Sequence, residues 1–279
     1  MENISSVNEK KIEYKYKSFS IHLPSDHRLP LYQQQFPKYD RFLPHLVRYC
    51  KPKDTVIDIG ANVGDTLAGM VDNNTELNYV CIEPDNFFYQ FLLNNIELIK
   101  SSNINLNVQT FKSLVGKNVK TVSLTGKNGT KHSVLDEQGE INSMELDEIL
   151  STASIANVRI LKSDVDGFDY DVLDSSIKFI IKHRPLIFFE CQYEHQYQKD
   201  GYLQTMKVLK SLGYSKWTIF DNFGELILQT EDLQVISQMM NYIWQQNLAL
   251  TARTIYYFDI LVTRPEESLF IEKVLIDYV

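Results

Sequence analysis

Residues 56–64 read VIDIGANVG, and residues 79–83 follow as YVCIE. Residues 55–59 form a short apolar run rich in β-branched side chains that stops at Gly60, the signature of a buried strand. Residues 65–71 then begin a helix. A second strand, 79–82, ends at Glu83. A second helix, 86–99, carries Phe87, Leu92 and Ile96 near helical spacing, and a third strand spans 105–111. This β-α-β-α-β alternation predicts an α/β fold with a parallel sheet and helices on both faces.

Outward from that core the pattern continues. The fourth strand spans 158–163, a helix 170–182, and the fifth strand 185–190 (PLIFFE). A helix over 202–212 stops at Gly213. Segments 216–220 and 225–228 pair around Asn222-Phe223-Gly224, 233–248 is helical, and 256–262 is the last strand. Between 112 and 157 the rhythm changes. Segments 119–124 and 131–135 alternate around Asn128-Gly129, a strong hairpin signal, so a β-hairpin is inserted at about 117–136. A short helix follows at 145–150. Upstream, Pro24, Pro30, Pro37 and Pro44 punctuate a polar stretch, and 39–50 suits a lead-in helix. Residues 1–52 read as an N-terminal arm with that helix, and 53–279 as one domain without repeats or linkers.

Composition narrows the function. Of 279 residues, 44% are hydrophobic and 23% charged, enough for a normal core and against global disorder. The net charge of -8 argues against nucleic acid as the main partner, because phosphate binding needs a positive footprint. Cys50, Cys81 and Cys191 form neither a disulfide framework nor a C-x-x-C metal pair. No stretch reaches the roughly 18 apolar residues of a membrane span, and the polar N-terminus lacks a signal-peptide core. The expectation is a cytoplasmic protein. A homo-oligomer is among the states the sequence allows.

The strand–loop–helix around Gly60 and Gly64 lets a backbone approach a ligand, and the helix start is expected to offer unpaired N–H groups to an anion. Asn62 stands where a dinucleotide fingerprint has its middle glycine, the one that admits a pyrophosphate. The ligand therefore has an anionic end but no pyrophosphate. Glu83, 23 residues after Gly60 and at a strand end, is placed for ribose hydroxyls. Asp58 suits an amino group or positive centre. Ribose, amino acid and cation together describe S-adenosylmethionine. Two other classes compete. A nicotinamide-dependent oxidoreductase needs a pyrophosphate-tolerant loop, which Asn62 opposes. A non-catalytic scaffold would let the donor site decay, yet Asp58, Gly60, Gly64 and Glu83 are all present.

The chain resembles the FkbM-type S-adenosylmethionine-dependent methyltransferases. The resemblance is carried by 56–66 (VIDIGANVGDT), Glu83-Pro84-Asp85, Asn94-Asn95-Ile96, 143–150 (SMELDEIL), 161–167 (LKSDVDG) and 184–190 (RPLIFFE), and runs from about 39 to 262. The family more often has Glu where this chain has Asp166 and Asp169. The resemblance implies a class I methyltransferase (Rossmann-like) fold of seven strands, mostly parallel with one antiparallel. It also implies methylation of a hydroxyl on a sugar, glycan or glycosylated natural product. It extends the cofactor set to Ala61, Asp65, Thr66 and Pro84. By position in the fold, Phe111, Lys112 and Ser113 would contact adenine.

Methyl transfer to a hydroxyl needs alignment and a base within hydrogen-bond reach. Asp164, at the end of the fourth strand, is the first candidate, and also borders the cofactor. Lys162 lies two residues back on the same strand face and is expected to pair with Asp164 or Asp58. Asp166 suits a helix cap. Glu190 and His195, in the loop ECQYEHQY, are further candidates, and that loop suits a ring-shaped polar acceptor. Asp164, Asp166 and Glu190 could collect a divalent cation, but no spacing requires it and no metal site is assigned. Residues 22–28 are expected to be an arm rather than a cover over the acceptor.

Overall fold

The computed structural model describes residues 11–102, 104–117, 121–125, 132–135, 141–153, 155–249 and 254–279. The chain begins with an antiparallel hairpin, β1 (Lys11–Lys15) and β2 (Ser20–Pro24), then α1 (Leu29–Gln35) and α2 (Phe42–Leu46). The alternating core follows: β3 (Thr55–Ile59), α3 (Asp65–Val71), β4 (Asn78–Ile82), α4 (Asn86–Ser101) and β5 (Asn107–Phe111). Four short strands come next, β6 (Leu114–Val115), β7 (Thr121–Thr125), β8 (His132–Leu135) and β9 (Ile141–Met144), then α5 (Leu146–Ile149). The second half holds β10 (Val158–Ser163), α6 (Asp169–Ser175), α7 (Ile177–His183), β11 (Leu186–Gln192) and α8 (Gln196–Ser211). The chain ends through β12 (Lys216–Asp221), β13 (Leu226–Thr230), α9 (Leu233–Ala249), β14 (Tyr257–Thr263) and α10 (Ser268–Ile276).

The main sheet has the order β13-β12-β14-β11-β10-β3-β4-β5. From β5 across to β11 all neighbours are parallel, and β14 runs antiparallel between β11 and β12. This is the class I methyltransferase order with one strand added. The expected seven strands are eight, because the segment after Gly224 pairs antiparallel on the outer edge of β12. The chain leaves β3 toward β4 and β5, then returns to β10 on the other side of β3. A crevice opens at the carboxyl ends of strands where the order reverses.

Each sheet face has its own core. Val56, Ile160, Leu186 and Leu261 face α3, α4, α10 and the N-terminal elements; Ile57, Leu161, Ile187 and Ile260 face the helices α6 to α9. The inserted hairpin is present as β7 paired with β8, and it belongs to a four-stranded sheet of order β6-β9-β7-β8. Its expected turn, Asn128-Gly129, lies outside the described residues.

Three boundaries differ from expectation. The helix expected over 170–182 is two, because the hydroxyls of Ser175 and Ser176 both donate to the Val172 carbonyl and compete with the helical ladder. Helix α8 starts six residues before Tyr202. Gly201 is not a breaker there: a Cβ on it would sit 2.6 Å from the Tyr170 ring. The proline-punctuated start is not a loose arm. Asn95 accepts from the His22 N–H (2.8 Å) and donates to the His22 carbonyl (2.9 Å), fastening β2 to α4.

Candidate active site

Along one face of the sheet the strands turn from apolar to charged as they approach their carboxyl ends. Val56 is followed by Asp58, Ile160 by Lys162 and then Asp164, and Phe188 by Glu190. Asp259, near the start of antiparallel β14, is the register partner of Glu190. These ends, with His27, Arg28, Tyr39, Asp40 and Tyr257, enclose a cleft of about 430 Å³. The cleft sits at the reversal between β3 and β10.

Lys162 is the electrostatic centre. It is 3% exposed, with its ammonium 2.8 Å from Asp58, 3.1 Å from the Gly60 carbonyl and 3.4 Å from Asp164. Burial opposes its charge, yet Asp58 and Asp164 hold its pKa above the ordinary lysine value. Both expected pairings therefore exist at once. Asp58 is 1% exposed and spent on Lys162, so it anchors that cation rather than facing a ligand, contrary to expectation.

The glycine loop also departs from expectation. Gly60 and Ala61 donate to the Ile82 carbonyl, Asn62 to Glu83 Oε2, Val63 to the Asn62 side chain and Gly64 to Ala61. Every N–H from 60 to 64 is used internally, and none is left for an anion. Gly60 has φ +76°, and a Cβ there would meet the Asp164 carbonyl oxygen at 1.9 Å. Asn62 takes φ +48°, a left-handed conformation that Asn tolerates. Gly60, Asn62, Asp65 and Thr66 line the cleft; buried Ala61 and Gly64 shape the loop behind them. Glu83 is 5% exposed and clamps the loop, taking the Asn62 N–H on one oxygen and the Asp85 N–H on the other, both at 2.8 Å. Burial pushes its carboxyl up to about 7 against those two hydrogen bonds.

Asp164 is the accessible acid, with 46% of its side chain exposed at the cleft wall. Asp166, expected to cap a helix, lines the cleft with φ +54°, and Phe168 precedes α6 without a side-chain cap. The structural acid is Asp169, fully buried, which accepts from the Ser163 hydroxyl (2.5 Å), the Val165 N–H (3.2 Å) and the Tyr202 hydroxyl (3.2 Å). Glu190 is 7% exposed and lines the cleft, and its Oε2 has no hydrogen-bond partner. His195 is outside the cleft: it is exposed, begins α8, and stacks on Tyr197 with ring centres 5.4 Å apart. It is not placed to act as a base. Pro84, Phe111, Lys112 and Ser113 do not line the cleft either; Lys112 donates to Asn86 (2.7 Å), and the Phe111 carbonyl takes the Glu83 N–H (3.1 Å).

Several wall residues were not predicted. His27 reaches within 3.7 Å of Asp65, and His27 and Arg28 line the cleft, so the end of the 22–28 segment borders the site instead of forming a free arm. Asp259 had a legible signal, an acid inside the apolar strand YFDILVT. Tyr39 and Asp40 had none, because tertiary packing alone brings them to the strand ends. Among the described residues, no group of three or more His, Cys, Asp and Glu is arranged to hold a metal ion. Nor is any described helix long and apolar enough to cross a membrane.

Residues 58–216, more than half of the chain, match the model of the methyltransferase FkbM domain. The chain belongs to the FkbM methyltransferase family. The methyl donor that the sequence resemblance implies is S-adenosylmethionine. No curated protein sequence matches it. The methyltransferase FkbM of Methylobacillus flagellatus KT is 15% identical over 59% of this chain, with a TM-score of 0.37. This chain spans 48% of that protein's length. The precorrin-6y C5,15-methyltransferase of Geobacter metallireducens GS-15 is 10% identical over 79% of this chain and 86% of its own, with a TM-score of 0.40. TYW2 of M. jannaschii, in complex with AdoMet, is 12% identical over 92% and 87%, with a TM-score of 0.45. The strand order, not these overlaps, defines the fold of this methyltransferase. The residues fit its cofactor: a loop with no spare N–H is no phosphate cradle, and acids around it suit a ligand with a positive sulfur and an ammonium group.

Proposed function

We propose that this methyltransferase methylates a hydroxyl of a sugar, glycan or glycosylated small molecule, with Asp164 as the general base. The observation that carries the reading is Asp164 itself. Its carboxylate is open to the cleft, while the neighbouring ammonium of Lys162 is buried and holds it from one side at 3.4 Å.

S-adenosylmethionine, when bound, supplies an electrophilic methyl group on a sulfonium. Gly60, Asn62, Asp65 and Thr66 would hold it, with Glu83 fixing the loop and keeping further lone pairs for ribose hydroxyls. Asp164 accepts the proton of the acceptor hydroxyl and, being open to solvent, passes it to water. Lys162 is a positioning residue, tying the Asp164 carboxylate to β3 through Asp58 and Gly60. Gln192, Tyr193 and Tyr256 on the wall combine hydrogen-bonding groups with aromatic faces, which suits a sugar ring. The three free, buried cysteines accord with a reducing cytoplasm.

The test is transfer of labelled methyl from S-adenosylmethionine to a panel of sugars and glycosylated natural products, with products mapped by mass spectrometry. Asp164→Asn is expected to lower kcat by roughly 10²–10⁴-fold, the usual worth of a positioned base, with cofactor affinity retained. Unchanged turnover in that variant removes Asp164 from the role.

A further inference from the structure

The acceptor half of the cleft is more acidic than hydroxyl methylation requires. Glu190 and Asp259 stand opposite each other on antiparallel strands, where facing side chains have Cβ atoms about 5 Å apart and like charges destabilise. Both line the cleft, with Asp40 and Asp166 nearby. Among the described residues, no basic group on the wall forms an ion pair with Glu190 or Asp259. Lys162 is held by Asp58, Arg28 donates to the Tyr32 hydroxyl (3.5 Å), and His27 faces Asp65.

Glu190 supplies a second and separate observation. It is 7% exposed, and its Oε2 is buried with no hydrogen-bond partner. A buried carboxylate oxygen without a donor is costly. Burial and the surrounding acids push both the Glu190 and Asp259 carboxyls well above the usual range. Tyr39, Tyr256 and Tyr257 also line the wall, with the last two in edge-to-face contact at 4.9 Å. Carboxylates beside tyrosine faces are the chemistry that recognises an organic ammonium.

We infer that the acceptor carries a protonated amine as well as its hydroxyl, and that the ammonium docks between Glu190 and Asp259 against the tyrosine wall. This deepens the reading of the cleft as a hydroxyl-methylating site and rests on it. The amine anchors the acceptor at β11 and β14, leaving its hydroxyl to face Asp164 at the end of β10. An amino sugar is the simplest molecule that combines the two groups.

The test uses a matched pair of probes, kanamycin and its fully N-acetylated derivative, which keeps the hydroxyls and loses the charges. Each is titrated calorimetrically into the full chain saturated with S-adenosylhomocysteine. Kanamycin is expected to bind at least tenfold more tightly than its acetylated form. Glu190→Gln and Asp259→Asn are each expected to remove most of that difference, while the affinity for S-adenosylmethionine stays within threefold. Both substitutions put a neutral amide of the same shape where ionisation of the carboxyl is already disfavoured, so each variant's thermal midpoint should match or exceed that of the parent. Equal binding of the two probes, or no binding of either, overturns the inference. So does a loss of S-adenosylmethionine affinity equal to the loss for kanamycin, which would give the acids to the cofactor's own ammonium. Product mapping separates the two proposals. Methyl on nitrogen of a charge-selected probe sinks hydroxyl methylation alone, and methyl on oxygen of neutral sugars with no charge preference sinks only the ammonium site.

Discussion

Glu83, proposed above for ribose hydroxyls, also holds the glycine loop together, and one substitution tests that structural role. Its two oxygens each take one backbone N–H, from Asn62 and Asp85, so the carboxylate is part of the loop's own structure. Glu83→Gln keeps the shape but replaces one acceptor by an NH₂ donor, leaving one of those N–H groups facing another donor. The expected loss is about 1–3 kcal/mol of stability, measurable by urea denaturation, because a buried N–H is left unsatisfied. A residue serving only ribose would leave the unfolding curve unmoved. Sequence spacing led to Glu83 through its place at a strand end, and that place holds. The inward use of its oxygens was not legible, since it follows from how the loop folds back on β4.

At the scale of elements, the core strands were readable because burial on both faces leaves continuous apolar runs that stop at glycine or an acid. β3, β10 and the two helices after β3 and β4 fall close to where the pattern puts them. The hairpin β1–β2 was not readable. Its segments, KIEYK and SIHLP, are short and mix lysine, histidine and proline into the alternation. What orders them is tertiary: Asn95, 1% exposed on α4, bonds the His22 N–H and carbonyl and also donates to the Val63 carbonyl at 2.8 Å. Asn95 thus links the N-terminal hairpin to the glycine loop through one side chain. Asn95→Ala is expected to cost about 3 kcal/mol, from several groups left without partners. Amide hydrogen exchange should quicken across 20–24 and leave β10 protected. The same variant should bind S-adenosylmethionine more weakly, because His27 follows directly from that hairpin and approaches Asp65.

For the molecule as a whole, the acids that build the site make stability depend on pH in an unusual direction. Glu83 and Asp169 are pushed up to about 7 by burial, and Glu190 also lies well above its ordinary value. A carboxyl whose pKa is higher folded than unfolded stays protonated in the native state while the unfolded chain ionises. The native state then binds more protons, so stability falls as pH rises between the unfolded value, about 4, and the folded one, about 7. Each such group contributes a slope of about 1.4 kcal/mol per pH unit within that window. Glu267 acts in the opposite sense. Its hydrogen bonds to Arg159 lower its pKa, so its contribution is lost as pH falls through the folded value, and its partial exposure keeps that contribution small. The ligand-free chain is therefore expected to show its highest urea midpoint near pH 4 and a steady decline toward pH 7.5. Asp169→Asn, which cannot ionise, should flatten that decline by about one group's slope. A positive ligand in the cleft favours the ionised acids, so saturating S-adenosylmethionine should raise the midpoint more at pH 7.5 than at pH 5. A midpoint that rises with pH in the free chain would mean that these carboxyls are ionised in the fold and balanced by cations, against the arrangement of charges around Lys162.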